Sequence, residues 1–192
     1  MRKLVESTFV TLDGVIGEPQ LWAQPYWDKE LDAYAARLLE PAEALLLGRV
    51  TFEAFAASWP GREGEYADKM NSMPKHVASH TLSEVGWNGE VIGGDVAEEV
   101  ARLKDADGGD LLKFGTGEVD APLLTNSLID ELHLWVFPVI AGDGDRLAEG
   151  IDTTHLKLLD TSRFESGIVV HVLGAKDRRG PGRTGLWRAK RD

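Results

Sequence analysis

Apolar runs and helically spaced apolar positions alternate along this chain up to about residue 140. Residues 2–12 (RKLVESTFVTL) form an apolar, β-branched run that predicts a buried strand, ended by the turn pair Asp13-Gly14. Residues 17–25 read as a loop holding Pro19, Trp22 and Pro25. Apolar residues at 27, 31, 34, 35, 38 and 39 have amphipathic-helix spacing, and Pro41 stops that helix. Residues 44–47 (ALLL) predict a second strand closed by Gly48, with short helices at 49–57 and 65–73. Strands follow at 75–79 and 90–92, then a helix at 95–104 with Asp95 as N-cap. Residues 110–114 predict a strand ending at Gly115, 118–126 a helix, and 131–140 a long strand in which Pro138 marks a bulge or an edge. The closing strands are 156–164 and 167–173, turned at Ser166-Gly167. Strands separated by helices imply a mostly parallel sheet covered on both faces, and the final hairpin makes the sheet mixed. The expected fold class is therefore α/β.

Length and composition narrow the possibilities. A chain of 192 residues suits one domain, and no linker divides it. The expected organisation is a domain over 1–174 with a basic tail over 175–192. The chain has no cysteine, which excludes disulfides, thiolate nucleophiles and Cys-ligated metals. No apolar run approaches the ~20 residues of a membrane span, and Glu6 interrupts the first run too early for a signal-peptide core. A cytoplasmic protein is the expectation.

The net charge is −11 and unevenly spread: residues 175–192 hold seven basic and two acidic residues, leaving 14 basic against 30 acidic elsewhere. The acidic body repels nucleic acid and anionic membrane, so a phosphorylated ligand needs a local concentration of donors. The tail reads as an arm settling on the acidic body, or as an RNA-binding arm.

Two segments supply such donors where a strand runs into a helix. They are Leu46-Leu47-Gly48-Arg49-Val50-Thr51 and Lys113-Phe114-Gly115-Thr116-Gly117-Glu118. Ligands of open α/β sheets gather at the carboxyl ends of strands, where helix-start amides favour anions. Arg49 offers a planar fork suited to phosphate and Thr51 a hydroxyl. Two such turns would suit the several phosphates of a dinucleotide, but the pattern also fits ordinary βα connections. Neither turn is a Walker loop or a full G-x-G-x-x-G fingerprint.

The stretches STFVTLDGVIG (7–17), PYWDKEL (25–31), LLLGRVTFEAFAASWP (45–60), GDVAEEVARLK (94–104), DLLKFGTGE (110–118) and LIDELHLWVFPVIAGDGDRL (128–147) make the resemblance specific. The sequence resembles the dihydrofolate-reductase-like family, in particular the group related to the reductase domain of bacterial riboflavin biosynthesis. The likeness runs to about residue 174. It implies a mixed sheet of about eight strands, NADPH as cofactor, an NADPH-dependent reductase acting on a small heterocycle, and a homodimer. Carried over residue by residue, it implies that Arg49 faces the adenosine 2′-phosphate and that Gly48, Val50 and Thr51 take the pyrophosphate from one turn. Gly115, Thr116, Gly117 and Glu118 would take it from the other, Ser79 and His80 would border the adenosine, and Ile16 and Gly17 would touch the nicotinamide carboxamide.

Hydride transfer needs alignment and a proton source. Asp28, at the start of the first helix, corresponds to the acidic residue that dihydrofolate reductases place there, but also reads as a helix-start carboxylate. Asp13 is the second candidate, as a substrate contact or a turn former. Trp22, Trp27 and Trp59 could wall a flat heterocycle or serve in packing. His133, Trp135 and Phe137 alternate along one strand face, a candidate subunit interface. The segment 17–22 is short for the family. Deamination, the partner activity in riboflavin biosynthesis, is excluded by the lack of cysteine and of His-x-Glu. A non-catalytic nucleotide- or small-molecule-binding protein of the same fold is the alternative.

Overall fold

The computed structural model of the chain describes residues 1–148 and 150–175, so the basic tail from residue 176 onward lies outside the described residues. The first strand, β1 (Leu4–Thr11), is buried along almost its whole length. Burial on both faces suits its apolar and β-branched residues, Leu4, Val5, Phe9 and Val10 among them, and takes Glu6, Ser7, Thr8 and Thr11 inside with them. A short helix α1 (Pro19–Trp22) and one 3₁₀ turn (Gln24–Tyr26) then lead into α2 (Lys29–Leu39). Next come β2 (Ala42–Gly48), α3 (Arg49–Ser58), α4 (Glu65–Ser72), β3 (Lys75–Ala78) and β4 (Gly89–Ile92). The chain closes with α5 (Val96–Asp105), β5 (Asp110–Phe114), α6 (Asp120–Thr125), β6 (Glu131–Phe137), β7 (Leu156–Arg163) and β8 (Val169–Ala175).

The eight strands form one sheet in the order β4-β3-β2-β5-β1-β6-β8-β7. The first six in that order run parallel, β8 runs antiparallel to β6, and β7 runs antiparallel to β8. The mixed α/β sheet with its terminal hairpin is as the sequence predicts. The turn at Ser166-Gly167 is also in place, closed by Phe164 N–H to Ile168 C=O at 3.0 Å, as is the Asp95 cap, which accepts from Ala97 and Glu98.

Two local expectations change. Residues 17–25 are not an open loop. They carry α1 and the 3₁₀ turn, which are too short to show helical periodicity. Pro138 sits in neither a bulge nor an edge strand: β6 ends at Phe137, one residue before it, and lies inside the sheet between β1 and β8. A residue without an N–H ends a ladder without cost at that point.

The core divides by sheet face. Leu4, Leu46, Leu111, Val100 and Leu123 pack on one side, with α5 and α6. Leu45, Leu47, Phe52, Met70 and Leu112 pack on the other, continuing into an aromatic group of Tyr34, Trp135, Phe137 and Phe164 beside α2. The face bearing His133, Trp135 and Phe137 is thus covered by the chain's own α2 and is not open to a second subunit. Tyr34 packs 4.8 Å from Trp135 and its hydroxyl meets His133 Nδ1 at 2.8 Å.

Candidate active site

All six parallel strands end on the same side of the sheet, but not at the same height. The β1–β5 register stops at Ser7↔Phe114, whereas the β1–β6 register runs on to Thr11↔Phe137. Four residues of β1 therefore rise above β5, a step of roughly 13 Å. In a parallel ladder alternate residues turn their peptides to the same neighbour. The Lys3 and Ser7 carbonyls accept from Leu111 and Gly115 of the β5 segment, so Phe9 also points its peptide that way, and no β5 residue stands opposite it. An open backbone edge results, with the ends of β5, β2 and β3 as its floor.

The residues that the sequence marks for a dinucleotide line this floor in strand order. Ser79 and His80 follow β3, Gly48 ends β2 and Arg49 follows it, and Gly115–Glu118 follow β5. Ile16 and Gly17 lie past the top of β1, where Ile16 N–H donates to Asp145 C=O at 2.8 Å and Gly17 C=O accepts from Trp22 Nε1 at 2.9 Å. Across four strands the row measures roughly 14 Å. The two glycine turns face each other. A Cβ on Gly48 would meet Val119 at 3.7 Å, and one on Gly115 would meet Thr51 Oγ1 at 3.4 Å. Gly115 has φ +71°, a conformation that glycine adopts without strain.

Charge at the site is locally favourable to an anion despite the acidic body. Helix α3 begins at Arg49 with no side-chain cap and no acidic residue in its first turn. Its leading amides are left to a ligand or solvent. By contrast α2 and α5 are capped by Asp28 and Asp95. Arg49 pairs with Glu53 at 2.9 Å in an exposed pair, which is weak and readily exchanged. The Thr116 hydroxyl oxygen is buried and has no hydrogen-bond partner among the described residues. Ser79 Oγ accepts from the amides of Thr81 and Leu82, closing a tight turn that leaves His80 exposed.

The two carboxylates proposed as proton sources have structural work. Asp28 Oδ1 accepts from Leu31 N–H at 2.9 Å as the cap of α2, and no partner for its second oxygen is present among the described residues. Asp13 accepts from the Thr11 hydroxyl and from the amides of Ala141 and Gly142 at 2.6, 3.1 and 2.7 Å. These donors, the Thr11 hydroxyl foremost, lower its pKa to about 2, so it carries no proton to give at neutral pH. It ties the segment after β1 to the segment after β6, a tie reinforced by Arg146 on the Asp13 carbonyl and by the Val15↔Arg146 bridge. Between these two segments lies a cavity of about 510 Å³ lined by Val15, Gly17, Trp22, Ile140 and Asp143, among others.

Of the three tryptophans considered as ring walls, Trp22 and Trp27 stand at this end of the sheet. Trp22 lies 5.2 Å from Phe137, and Trp27, 55% exposed, lies 6.1 Å edge-on from Phe9. Trp59 caps the far end of α3 and packs on Phe55 and Tyr66. His133 is engaged by Tyr34 and Glu131. Among the described residues no group of His, Asp and Glu is arranged to hold a metal, and no helix is long and apolar enough to cross a membrane. Sequence reasoning missed the Phe9 peptide, because a backbone edge leaves no trace in side-chain pattern. It also missed Glu6, Lys113 and Asp120, buried together beneath the second turn. The signal was available: Glu6 and Lys113 are charges set inside apolar strand runs.

Comparison with known proteins agrees with this architecture. A protein provisionally assigned to riboflavin biosynthesis in Shewanella sp. PV-4 superposes with a TM-score of 0.74 at 21% identity, over 91% of this chain and 99% of that one. Dihydrofolate reductase from Enterococcus faecalis, solved with NADP(H), gives a TM-score of 0.62 at 19% identity, over 91% and 97% of the two chains. The uncharacterized protein YyaP of Bacillus subtilis is 28% identical over 174 residues, 88% of this chain and 92% of its own. The RibD C-terminal domain family matches residues 2–170. With its reductase-like fold and that match over most of its length, the chain belongs to the RibD C-terminal domain family.

Proposed function

We propose that the protein is an NADPH-dependent oxidoreductase that transfers a hydride to a small heterocycle, in the manner of dihydrofolate reductases or of 5-amino-6-(5-phosphoribosylamino)uracil reductases. The observation that carries this reading is the pair of facing glycine turns below the open edge of β1. The site fits such a cofactor chemically. The uncapped start of α3, the unpartnered Thr116 hydroxyl and the space at Gly115 all favour a phosphate group. In this reading Arg49 holds the 2′-phosphate, and Gly48, Val50 and Thr51 with Gly115–Glu118 hold the diphosphate. Ser79 and His80 border the adenosine, and the backbone of Ile16, Gly17 and Phe9 orients the nicotinamide. When bound, NADPH supplies the hydride.

The remaining work falls to this chain's own groups. Trp27 and Phe9 offer an aromatic surface for a flat ring, and exclude water from it. Asp28, with one oxygen committed to the helix and one uncommitted, is the carboxyl that can relay a proton to the acceptor. A homodimer fits the sheet face opposite α2, where Leu158 of β7 is exposed and Leu134 and Leu173 are half-buried.

Arg49→Ala tests the cofactor assignment. It weakens NADPH by roughly tenfold or more and leaves NADH nearly unchanged, because only NADPH carries the 2′-phosphate. Equal losses for both nucleotides in a fluorescence titration contradict the role. A second reading, nucleotide binding without turnover, is favoured by two observations: Asp13 is ionised and Asp28 caps a helix. Sustained NADPH consumption with a pterin- or pyrimidine-like acceptor excludes it.

A further inference from the structure

Beneath the second glycine turn lies a group of charges that the reaction above does not use. Glu6 of β1, Lys113 of β5 and Asp120 of α6 are 1%, 2% and 1% exposed. Glu6 and Lys113 are register partners on neighbouring strands. Lys113 Nζ lies 2.6 Å from Asp120 Oδ1 and 3.5 Å from Glu6 Oε2. The same ammonium donates to the Gly115 carbonyl, and Asp120 accepts from the Gly117 amide. Both ends of the Gly115-Thr116-Gly117 turn are therefore tied to one ammonium–carboxylate pair.

Two carboxyl groups share this single ammonium, so the group is neutral only while one of them keeps a proton. Asp120 has the close contact. Glu6 has a distant one, plus the Thr8 hydroxyl at 3.5 Å. Burial, opposed by Lys113 and reinforced by Asp120, raises the Glu6 pKa to about 8. Burial alone would lower the Lys113 pKa, but the carboxylates of Glu6 and Asp120 hold it above its usual value. Lys113 faces Glu6 from β5 and Asp120 faces it from α6. On the β6 side its register partner is Leu132, which is uncharged.

We propose that Lys113 and Asp120 are positioning residues for the Gly115–Gly117 turn, and that ionisation of Glu6 beneath the turn lowers its affinity for a dinucleotide diphosphate. The proposal rests on the reading of that turn as a diphosphate site. Ionised Glu6 adds a negative charge under the phosphates and competes for the ammonium that now holds the Gly115 carbonyl. By reciprocity, an anionic ligand bound above the turn strengthens proton binding at Glu6, so complex formation near pH 8 takes up a fraction of a proton.

Calorimetric titration of the full chain with NADPH, in two buffers of different ionisation enthalpy, tests this between about pH 7 and 9.5, where the 2′-phosphate no longer titrates. The wild type is expected to lose roughly tenfold in affinity across that interval, with fractional proton uptake around pH 8. Glu6→Gln is expected to keep the low-pH affinity throughout and to take up no proton. Matching pH profiles for the two proteins overturn the inference and leave the cofactor site standing. Zero proton uptake by wild type that binds NADPH overturns it as well, whether or not the variant folds. Failure of the wild type to bind NADPH at any pH overturns the site reading and this inference with it.

Discussion

A methyl group at Gly115 distinguishes a phosphate cradle from an ordinary turn. Gly115 has φ +71°, so alanine there takes on left-handed strain of roughly 1–2 kcal/mol, partly offset by about 0.4–1 kcal/mol from a stiffer unfolded chain. The new Cβ would stand 3.4 Å from Thr51 Oγ1, in the space between the two turns. That contact is tight but needs no backbone movement. Gly61, between α3 and α4, is the control: its φ is +83°, and a Cβ there meets nothing within 4 Å. Both alanine variants are expected to lose about 1 kcal/mol of stability, read as a Tm lowered by roughly 2–4 °C in scanning calorimetry. Only Gly115→Ala puts a methyl group where the diphosphate would lie. One misplaced methyl costs roughly 1–3 kcal/mol of binding, or about 10–200-fold in Kd for NADPH. Quenching of tryptophan fluorescence supplies the affinity. Equal affinity losses in the two variants, or none in Gly115→Ala, would refute the crevice between the turns as the diphosphate site.

Asp28→Ala is expected to cost about 1 kcal/mol in urea unfolding through the lost α2 cap, whereas Asp28→Ser keeps most of that stability. If Asp28 also relays a proton, Asp28→Ser loses turnover while keeping NADPH affinity; full activity in that variant removes Asp28 from the chemistry. Glu6 makes stability depend on pH. Its folded pKa is raised from 4.5 to about 8, so its favourable contribution is fully present below the lower value and is lost as pH rises through the upper one. Glu6→Gln should therefore gain stability relative to the wild type progressively between about pH 5 and 8, with a plateau beyond. A difference that is flat in pH, measured by urea unfolding, contradicts the buried protonated carboxyl.

Much of the fold was legible because the parallel strands are buried on both faces and so appear as unbroken apolar runs, as at Leu45-Leu46-Leu47. The glycines at the ends of β2 and β5 were legible for the same reason: they interrupt those runs where the backbone must turn. Helix α1 was not, since four residues cannot display a period of 3.6. The roles of Asp13 and Asp28 were ambiguous in the sequence because capping a helix, forming a turn and giving a proton all call for the same short carboxylate. Only the partners decide, and for Asp13 two of them are amides of Ala141 and Gly142, far along the chain. Glu6 and Lys113 were visible as charges inside strands, but that they meet each other and Asp120 was not, because pairing between strands depends on a register that β-α alternation does not specify.

The bond from Asp13 to those amides spans 128 residues or more of sequence and draws together the two segments that border the cavity. Neither segment can be redesigned alone. Grafting the stretch after β6 from a relative, with the aim of reshaping that cavity, also resets the main-chain amides that hold Asp13. Reshaping the cavity therefore calls for exchanging both stretches as a matched pair.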